Sequence, residues 1–202
     1  RLQKHELYLK EIPFSDFLVF SQLFKSLPSN IQLQLGNSST IRYGQLFEMN
    51  PSHTIFCNRG TSGIDGSTST AIGAAYAGIS PTVFITGDLS FFYDSNALWN
   101  QHIARDFKII IINNSGGGIF RILPDAKQVF SFDTFFETKH QLTASQLSDM
   151  YGFDYQSAND MSSLKAQLAV FFENSETPQI LEIFTPSTIN DTVLLSYFDF
   201  IK

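Results

Sequence analysis

Two stretches constrain the fold of this chain more than any others. PTVFITG (81–87) and KIIIIN (108–113) are β-branched and apolar at almost every successive position. Neither shows the every-other-residue alternation of a strand with one wet face. Such runs fit strands covered by helices on both sides, and strands of that kind belong to parallel sheets.

The remaining pattern supplies the helices such a sheet needs. Ser15 is placed to cap a helix in which Phe17, Leu18, Phe20, Leu23, Phe24 and Leu27 recur at helical spacing until Pro28. IQLQLG (31–36) alternates like a strand and leads into NSSTIRYGQLF, a capped helix. TIFC (54–57) is the next strand, followed by the polar turn NRGTSGIDGS and the small-residue helix STAIGAAYAG. After PTVFITG, residues 90–104 are helical in pattern. KIIIIN is followed by a capped helix at TASQLSDMYG, a short strand at DYQSA, a helix at MSSLKAQLAVFFEN, a strand at PQILEIFT and a closing helix at NDTVLLSYFDFIK. The expectation is an α/β fold: a doubly wound, mainly parallel six-stranded sheet with right-handed crossovers and helices on both faces. Residues 1–202 are expected to form one domain, with 1–28 as an N-terminal linker and packing helix.

Composition narrows the function classes. A formal net charge of -6 leaves no basic field for gathering nucleic-acid phosphates. Cys57 is the single cysteine, so no internal disulfide forms and a reducing, cytoplasmic setting is the default expectation. No apolar run approaches the roughly 20 residues of a membrane helix. The chain opens at Arg1 without an initiator methionine or a signal-peptide pattern and is expected to be a piece of a longer protein. His5, His53, His102 and His140 fall in no metal-ligand spacing, and no GxSxG elbow marks a serine hydrolase.

Every unusual polar or glycine-rich stretch, GNSS, NRGTSGIDG, GDLS and NNSGGG, directly follows an expected strand. In a parallel sheet those positions share one rim, outside the carboxyl ends of the strands, where ligands bind. Asp88 and Asn114 are 26 positions apart, the length of one helix and one strand, so both reach that rim. Magnesium takes about six oxygens, from one or two protein groups, phosphates and water. Asp88 offers the charge, Asn114 an amide oxygen, and Gly116 a backbone carbonyl turned without a side-chain clash. Leu89 and Ser90 open the following helix, where backbone amides and the Ser90 hydroxyl face a phosphate. Taken singly, each fragment also reads as a simple helix cap or a flexible turn. A magnesium diphosphate is the ligand the combination points to.

GDLS followed after 26 positions by NNSGGG resembles the metal and diphosphate motif of thiamin diphosphate-dependent decarboxylases and carboligases. Leu89 stands where the family usually has a glycine. With NRGTSGIDG, the likeness is to the MenD family of menaquinone biosynthesis and extends from about Gly36 to Leu123. It implies a thiamin diphosphate-binding fold with thiamin diphosphate and Mg2+, or Mn2+, as cofactors. Asp88, Asn114 and the Gly116 carbonyl would hold the metal, and Gly63, Ile64, Asp65, Gly87, Leu89 and Ser90 would contact the cofactor. Ile64 would be the bulky residue that props the cofactor in its bent shape; by sequence alone it reads equally as a loop anchor.

The same resemblance implies decarboxylation of 2-oxoglutarate and addition of the resulting succinyl semialdehyde unit to isochorismate. Both substrates are dicarboxylates, which planar guanidinium groups pair bidentately. Ser38, Arg42, Arg59, Ile119, Phe120 and Leu123 resemble the substrate-contacting set, the last three as an apolar wall against water. The activating glutamate of this superfamily comes from a pyrimidine-binding domain, usually of a neighbouring subunit in a homodimer or homotetramer. Glu6, Glu11, Glu48, Glu137, Glu173, Glu176 and Glu182 lie in no motif resembling it, so no catalytic residue is assigned here and the piece is expected to be inactive alone. Two alternatives stay open: another thiamin diphosphate-dependent 2-oxoacid decarboxylase or carboligase, and a non-catalytic binding module that keeps the fold.

Overall fold

The computed structural model describes residues 2–123 and 128–202. Six strands form one all-parallel sheet in the order β2-β1-β3-β4-β6-β5. They are β1 (Gln32–Leu35), β2 (Thr54–Cys57), β3 (Thr82–Gly87), β4 (Lys108–Asn113), β5 (Asp154–Ala158) and β6 (Gln179–Phe184). The two apolar runs lie side by side at the centre, with Phe84 paired to Ile109 and Ile85 to Ile110.

Because successive side chains alternate across a strand, each central strand feeds two separate cores. Val83, Ile85, Ile110, Ile112, Leu181 and Ile183 face one way, Phe84, Ile109, Ile111 and Ile180 the other. The first face is covered by α1 (Leu2–Glu11), α2 (Asp16–Ser26), α3 (Ser39–Gly44), α7 (Met161–Phe171) and α8 (Asn190–Ile201). Phe17, Phe20 and Leu23 of α2 are fully buried here, and burying each stabilises by about 1.5–3 kcal/mol. The second face is covered by α4 (Ser67–Ala77), α5 (Asp88–Tyr93) and α6 (Ser145–Tyr151).

Several local features depart from the sequence pattern; α3 and α6, expected to be capped, carry no side-chain cap hydrogen bond. Residues 2–11, read as linker, form α1, whose Tyr8 and Leu9 pack into the first core with α8. The Ser15 hydroxyl donates to the Pro13 carbonyl at 3.0 Å instead of capping α2. The helix expected over 90–104 breaks after Tyr93 into a 3-10 turn, Ser95–Trp99. There the Asp94 carboxylate accepts from Ser69 N–H at 2.7 Å and from the Ser69 hydroxyl at 2.6 Å, holding the break against α4. Among the described residues no helix is long and apolar enough to cross a membrane.

The strand order fixes where a ligand can sit. From β1 the chain moves outward to β2, then returns to place β3 on the other side of β1 and continues to β4. The reversal opens a crevice at the carboxyl ends of β1 and β3.

Candidate functional site

A cavity of about 350 Å3 occupies that crevice. All four loops singled out by sequence contribute to it: Asn37 to Thr40 after β1, Ser62 to Ile64 after β2, Gly87 to Ser90 after β3, and Asn114 with Gly116 to Phe120 after β4.

Asp88 is buried, and its carboxylate joins two of the loops. Oδ1 accepts from Leu89 N–H at 2.7 Å and Oδ2 from Gly116 N–H at 2.9 Å. His140 Nε2 lies 3.2 Å from the same Oδ2. Since His140 Nδ1 accepts from Leu142 N–H at 3.1 Å, Nε2 carries the proton and donates to Asp88. A carboxylate offers about four acceptor positions. Three are used by the protein, which leaves one on a residue that lines the cavity.

Asn114 adds a second oxygen. Its Nδ2 donates to Asp16 Oδ2 at 2.9 Å, while its buried Oδ1 has no hydrogen-bond partner among the described residues. An orphaned buried carbonyl costs about 1–3 kcal/mol unless something pairs it. Burial pushes the Asp16 carboxyl up to about 6, with hydrogen bonds from Thr185 and Asn114 opposing the rise and Asp88 adding to it. The amide thus meets the buried Asp16 carboxylate through its nitrogen and keeps an unpaired oxygen on a residue that lines the same cavity as the buried Asp88 carboxylate, an environment that favours a cation. Among the described residues no group of three or more His, Cys, Asp or Glu side chains could hold a metal. An ion here would therefore need amide, carbonyl and phosphate oxygens, which suits a hard cation such as Mg2+.

The Gly116 backbone has φ of 147°, and a Cβ there would lie 2.5 Å from the Glu137 carbonyl oxygen. Only glycine fits. The Gly116 carbonyl accepts from Gly118 N–H at 3.0 Å, which leaves its second lone pair.

Of the other residues singled out by sequence, Gly63, Ile64, Gly87, Leu89 and Ser90 line the cavity, as do Ser38, Ile119 and Phe120. The Ser90 hydroxyl donates to the Ile64 carbonyl at 2.6 Å, tying the two loops together. Arg42 is exposed and borders a small neighbouring pocket with Ile119 and Ile122. Arg59 donates to Asn37 Oδ1 at 2.7 Å, while Asn37 Nδ2 donates to the Gly63 carbonyl at 3.0 Å. The arginine therefore braces the loops after β1 and β2. Asp65 accepts from its neighbour Gly66 N–H at 2.8 Å and is absent from the lining, as is Leu123, which is exposed.

Three residues at the site carry no sequence signal. Asp16 and His140 reach it from 98 and 52 positions away. Glu182 lies below, fully buried, accepting from Asn113 Nδ2, the Thr143 hydroxyl, Ala144 N–H and the Tyr155 hydroxyl at 2.7–3.0 Å. It makes the first asparagine of the NN pair an anchor and leaves the second to face the cavity.

This combination of a parallel doubly wound sheet and an oxygen-rich crevice at its switch point defines a diphosphate-binding α/β domain. The family described as thiamine pyrophosphate enzyme, C-terminal TPP binding domain, matches residues 36–183, and the chain belongs to it. Among curated relatives, a 2-succinyl-5-enolpyruvyl-6-hydroxy-3-cyclohexene-1-carboxylate synthase of Flavobacterium johnsoniae is 58% identical over 195 residues, 96% of this chain and 35% of its own length. The synthase of the same name from Christiangramia forsetii is 54% identical over 100% of this chain and 35% of its own. The chain thus spans about a third of the length of these relatives. A solved structure of benzoylformate decarboxylase from Polynucleobacter necessarius superposes with a TM-score of 0.67 at 16% identity, covering 88% of this chain and 34% of that one. That likeness carries the fold alone.

Proposed function

We propose that residues 1–202 are the diphosphate- and Mg2+-binding domain of a 2-succinyl-5-enolpyruvyl-6-hydroxy-3-cyclohexene-1-carboxylate synthase. The full enzyme decarboxylates 2-oxoglutarate and joins the four-carbon product to isochorismate. The names of relatives that cover nearly all of this chain support the reaction. The observation that carries the site is the unpaired Asn114 Oδ1 on a residue that lines the same cavity as the Asp88 carboxylate.

Asp88, Asn114 Oδ1 and the Gly116 carbonyl hold the metal, with Mn2+ able to replace Mg2+. Backbone groups of Gly87, Leu89 and Ser90 would contact the diphosphate, and Gly63 and Ile64 the rest of the cofactor, while Asp65, outside the lining, would shape the loop that carries Ile64. When bound, thiamin diphosphate supplies carbanion chemistry at a keto carbon, and the protein supplies position and charge. Ser38, Arg42 and Arg59 would bind substrate carboxylates, and Ile119 and Phe120, which line the cavity, would exclude water; the exposed Leu123 lies outside that wall. Arg59 reaches a substrate by exchanging its Asn37 bond for a carboxylate, a stronger partner than an amide. The activating glutamate comes from a pyrimidine-binding domain of a neighbouring subunit in a cytoplasmic homodimer or homotetramer.

The test uses the full-length enzyme with thiamin diphosphate, Mg2+, 2-oxoglutarate and isochorismate. Asp88→Asn and Asn114→Ala are expected to abolish product formation. Arg42→Ala and Arg59→Ala are expected to raise KM for at least one dicarboxylate about tenfold or more, since a charge-assisted pair contributes about 1.5–3 kcal/mol. Unchanged KM for both substrates in both arginine variants would point to a different 2-oxoacid carboligase. Full activity in Asp88→Asn would remove the metal assignment.

A further inference from the structure

Asn114 lines the cavity with its buried amide oxygen unpaired, while its amide nitrogen has an acceptor. That acceptor is Asp16, the first residue of α2. Its Oδ2 receives Asn114 Nδ2–H at 2.9 Å and its Oδ1 receives the Thr185 hydroxyl at 2.6 Å. Its own backbone N–H donates to Asn190 Oδ1 at 2.8 Å, and Asn190 Nδ2 in turn donates to the Pro186 carbonyl at 2.9 Å. Asp16 is 3% exposed, its carboxylate held by Thr185 at the end of β6 and its backbone N–H by Asn190 at the start of α8. Among the described residues no lysine, arginine or histidine forms an ion pair with it.

An amide turned by 180° exchanges oxygen for NH2 at almost no steric cost, so packing alone does not choose its face. An ionised carboxylate does choose, because it accepts hydrogen bonds and donates none. With Asp16 behind it, Asn114 must point Nδ2 backward and Oδ1 forward. The alternative would set oxygen against oxygen behind and offer a cation two N–H donors in front.

We propose that Asp16 is a positioning residue that fixes the Asn114 amide with its oxygen toward the metal. The inference rests on the reading of Asn114 as a metal ligand. Groups that orient metal ligands typically change metal affinity by 10–100-fold when removed. A role exerted through Asn114 disappears when Asn114 is removed, whereas a general contribution of negative charge does not, and this difference separates the two.

The experiment is a double-mutant cycle in the full-length enzyme, with Mn2+ as probe, titrated by electron paramagnetic resonance in the presence of thiamin diphosphate. Asn114→Ala and Asp16→Ala are each expected to weaken Mn2+ binding, the second by about 10–100-fold. In the Asn114→Ala background, Asp16→Ala is expected to weaken it no further. Equal weakening by Asp16→Ala in both backgrounds would overturn the positioning role, as would no effect of Asp16→Ala where Asn114→Ala has one. No effect of Asn114→Ala would remove the metal reading itself.

If Asp16→Ala does not fold, the exchange Asp16→Asn with Asn114→Asp keeps both shapes and the total charge. Residue 16 then donates from Nδ2 and residue 114 still presents an oxygen. This variant is expected to bind Mn2+ at least as tightly as the native enzyme, and binding as weak as in Asn114→Ala would overturn the proposal.

Discussion

Gly116→Ala is the substitution whose cost the structure sets most closely. At φ of 147° the backbone lies where non-glycine residues pay about 1–3 kcal/mol. The added Cβ would also meet the Glu137 carbonyl oxygen at 2.5 Å and that of Thr138 at 3.4 Å. Glu137 has little room to retreat. Its carbonyl accepts Gly117 N–H at 2.6 Å, and its buried carboxylate accepts from Arg121 Nε at 2.6 Å. A shift of the loop that relieves the overlap puts at stake the 2.9 Å bond from Gly116 N–H to Asp88 Oδ2. A hydrogen bond to a charged group is worth about 1.5–3 kcal/mol. Strain and lost bond together come to about 3–5 kcal/mol.

Where that cost appears depends on whether the ligand-free loop relaxes. If it does, the cost returns on binding, and at 1.4 kcal/mol per decade Mn2+ affinity falls by more than about 100-fold. If it does not, the loss shows as faster hydrogen exchange at Gly117 and its neighbours. Both are measured in the full-length enzyme, by Mn2+ titration with thiamin diphosphate and by exchange mass spectrometry. Gly152→Ala calibrates the conformational part. Its φ is 74° with nothing within 4 Å of a Cβ, so it carries only the left-handed backbone cost of about 1–2 kcal/mol, away from the cavity. A Gly116→Ala enzyme indistinguishable from Gly152→Ala in both assays would refute the reasoning.

Two further outcomes follow from buried groups. Glu182→Gln turns an NH2 toward donors that now share a carboxylate, destabilising the β4–β6 end of the sheet by about 3 kcal/mol. Exchange at Ala144 should accelerate, and the Tyr155 hydroxyl, pushed up to about 12 by burial with Glu182 adding to it, should fall toward its ordinary 10; unchanged exchange would show that the carboxylate is dispensable. His5 donates to or accepts from the Tyr197 hydroxyl at 2.9 Å, and burial lowers its imidazole below the ordinary 6.5. The unfolded chain then takes up the proton first as pH falls, so stability is full above 6.5 and declines as pH drops from there toward the lowered value. His5→Asn should flatten the pH dependence of the thermal midpoint in that window, and equal slopes in both proteins would count against it.

The sequence discloses the sheet because burial on two faces leaves a mark that local reading detects: KIIIIN admits few other interpretations, and β4 spans those same residues. The loops are legible for a related reason. Glycines and small polar residues after each strand mark the carboxyl edge, and four such loops meet at one cavity. What escapes is contact between groups far apart in the chain. His140 has no spacing relation to Asp88, and Asp16 reads only as an acid in the first turn of a helix, a place acids occupy for the helix dipole alone. Arg59 shows the opposite limit: its residue type announces carboxylate binding, yet in the structure its partner is an amide oxygen of the same rim.

These long-range contacts also bear on what counts as the domain. The family match covers residues 36–183 and leaves out α1, α2 and α8. Yet α2 contributes Phe17, Phe20 and Leu23 to the core beneath β1 and β3, and α8 contributes Val193, Leu194 and Tyr197. Aromatic packing joins these outer helices directly, Phe17 lying 4.7 Å from the Tyr197 ring. Asp16 and Asn190 then extend the same contact to Asn114 at the cavity. Loss of α2 would expose large apolar side chains and remove the partner of the Asn114 amide together. With Asn114 as the proposed metal ligand, stability and metal affinity should fail together when α2 is displaced, and equal Mn2+ affinity after such a displacement would count against the coupling.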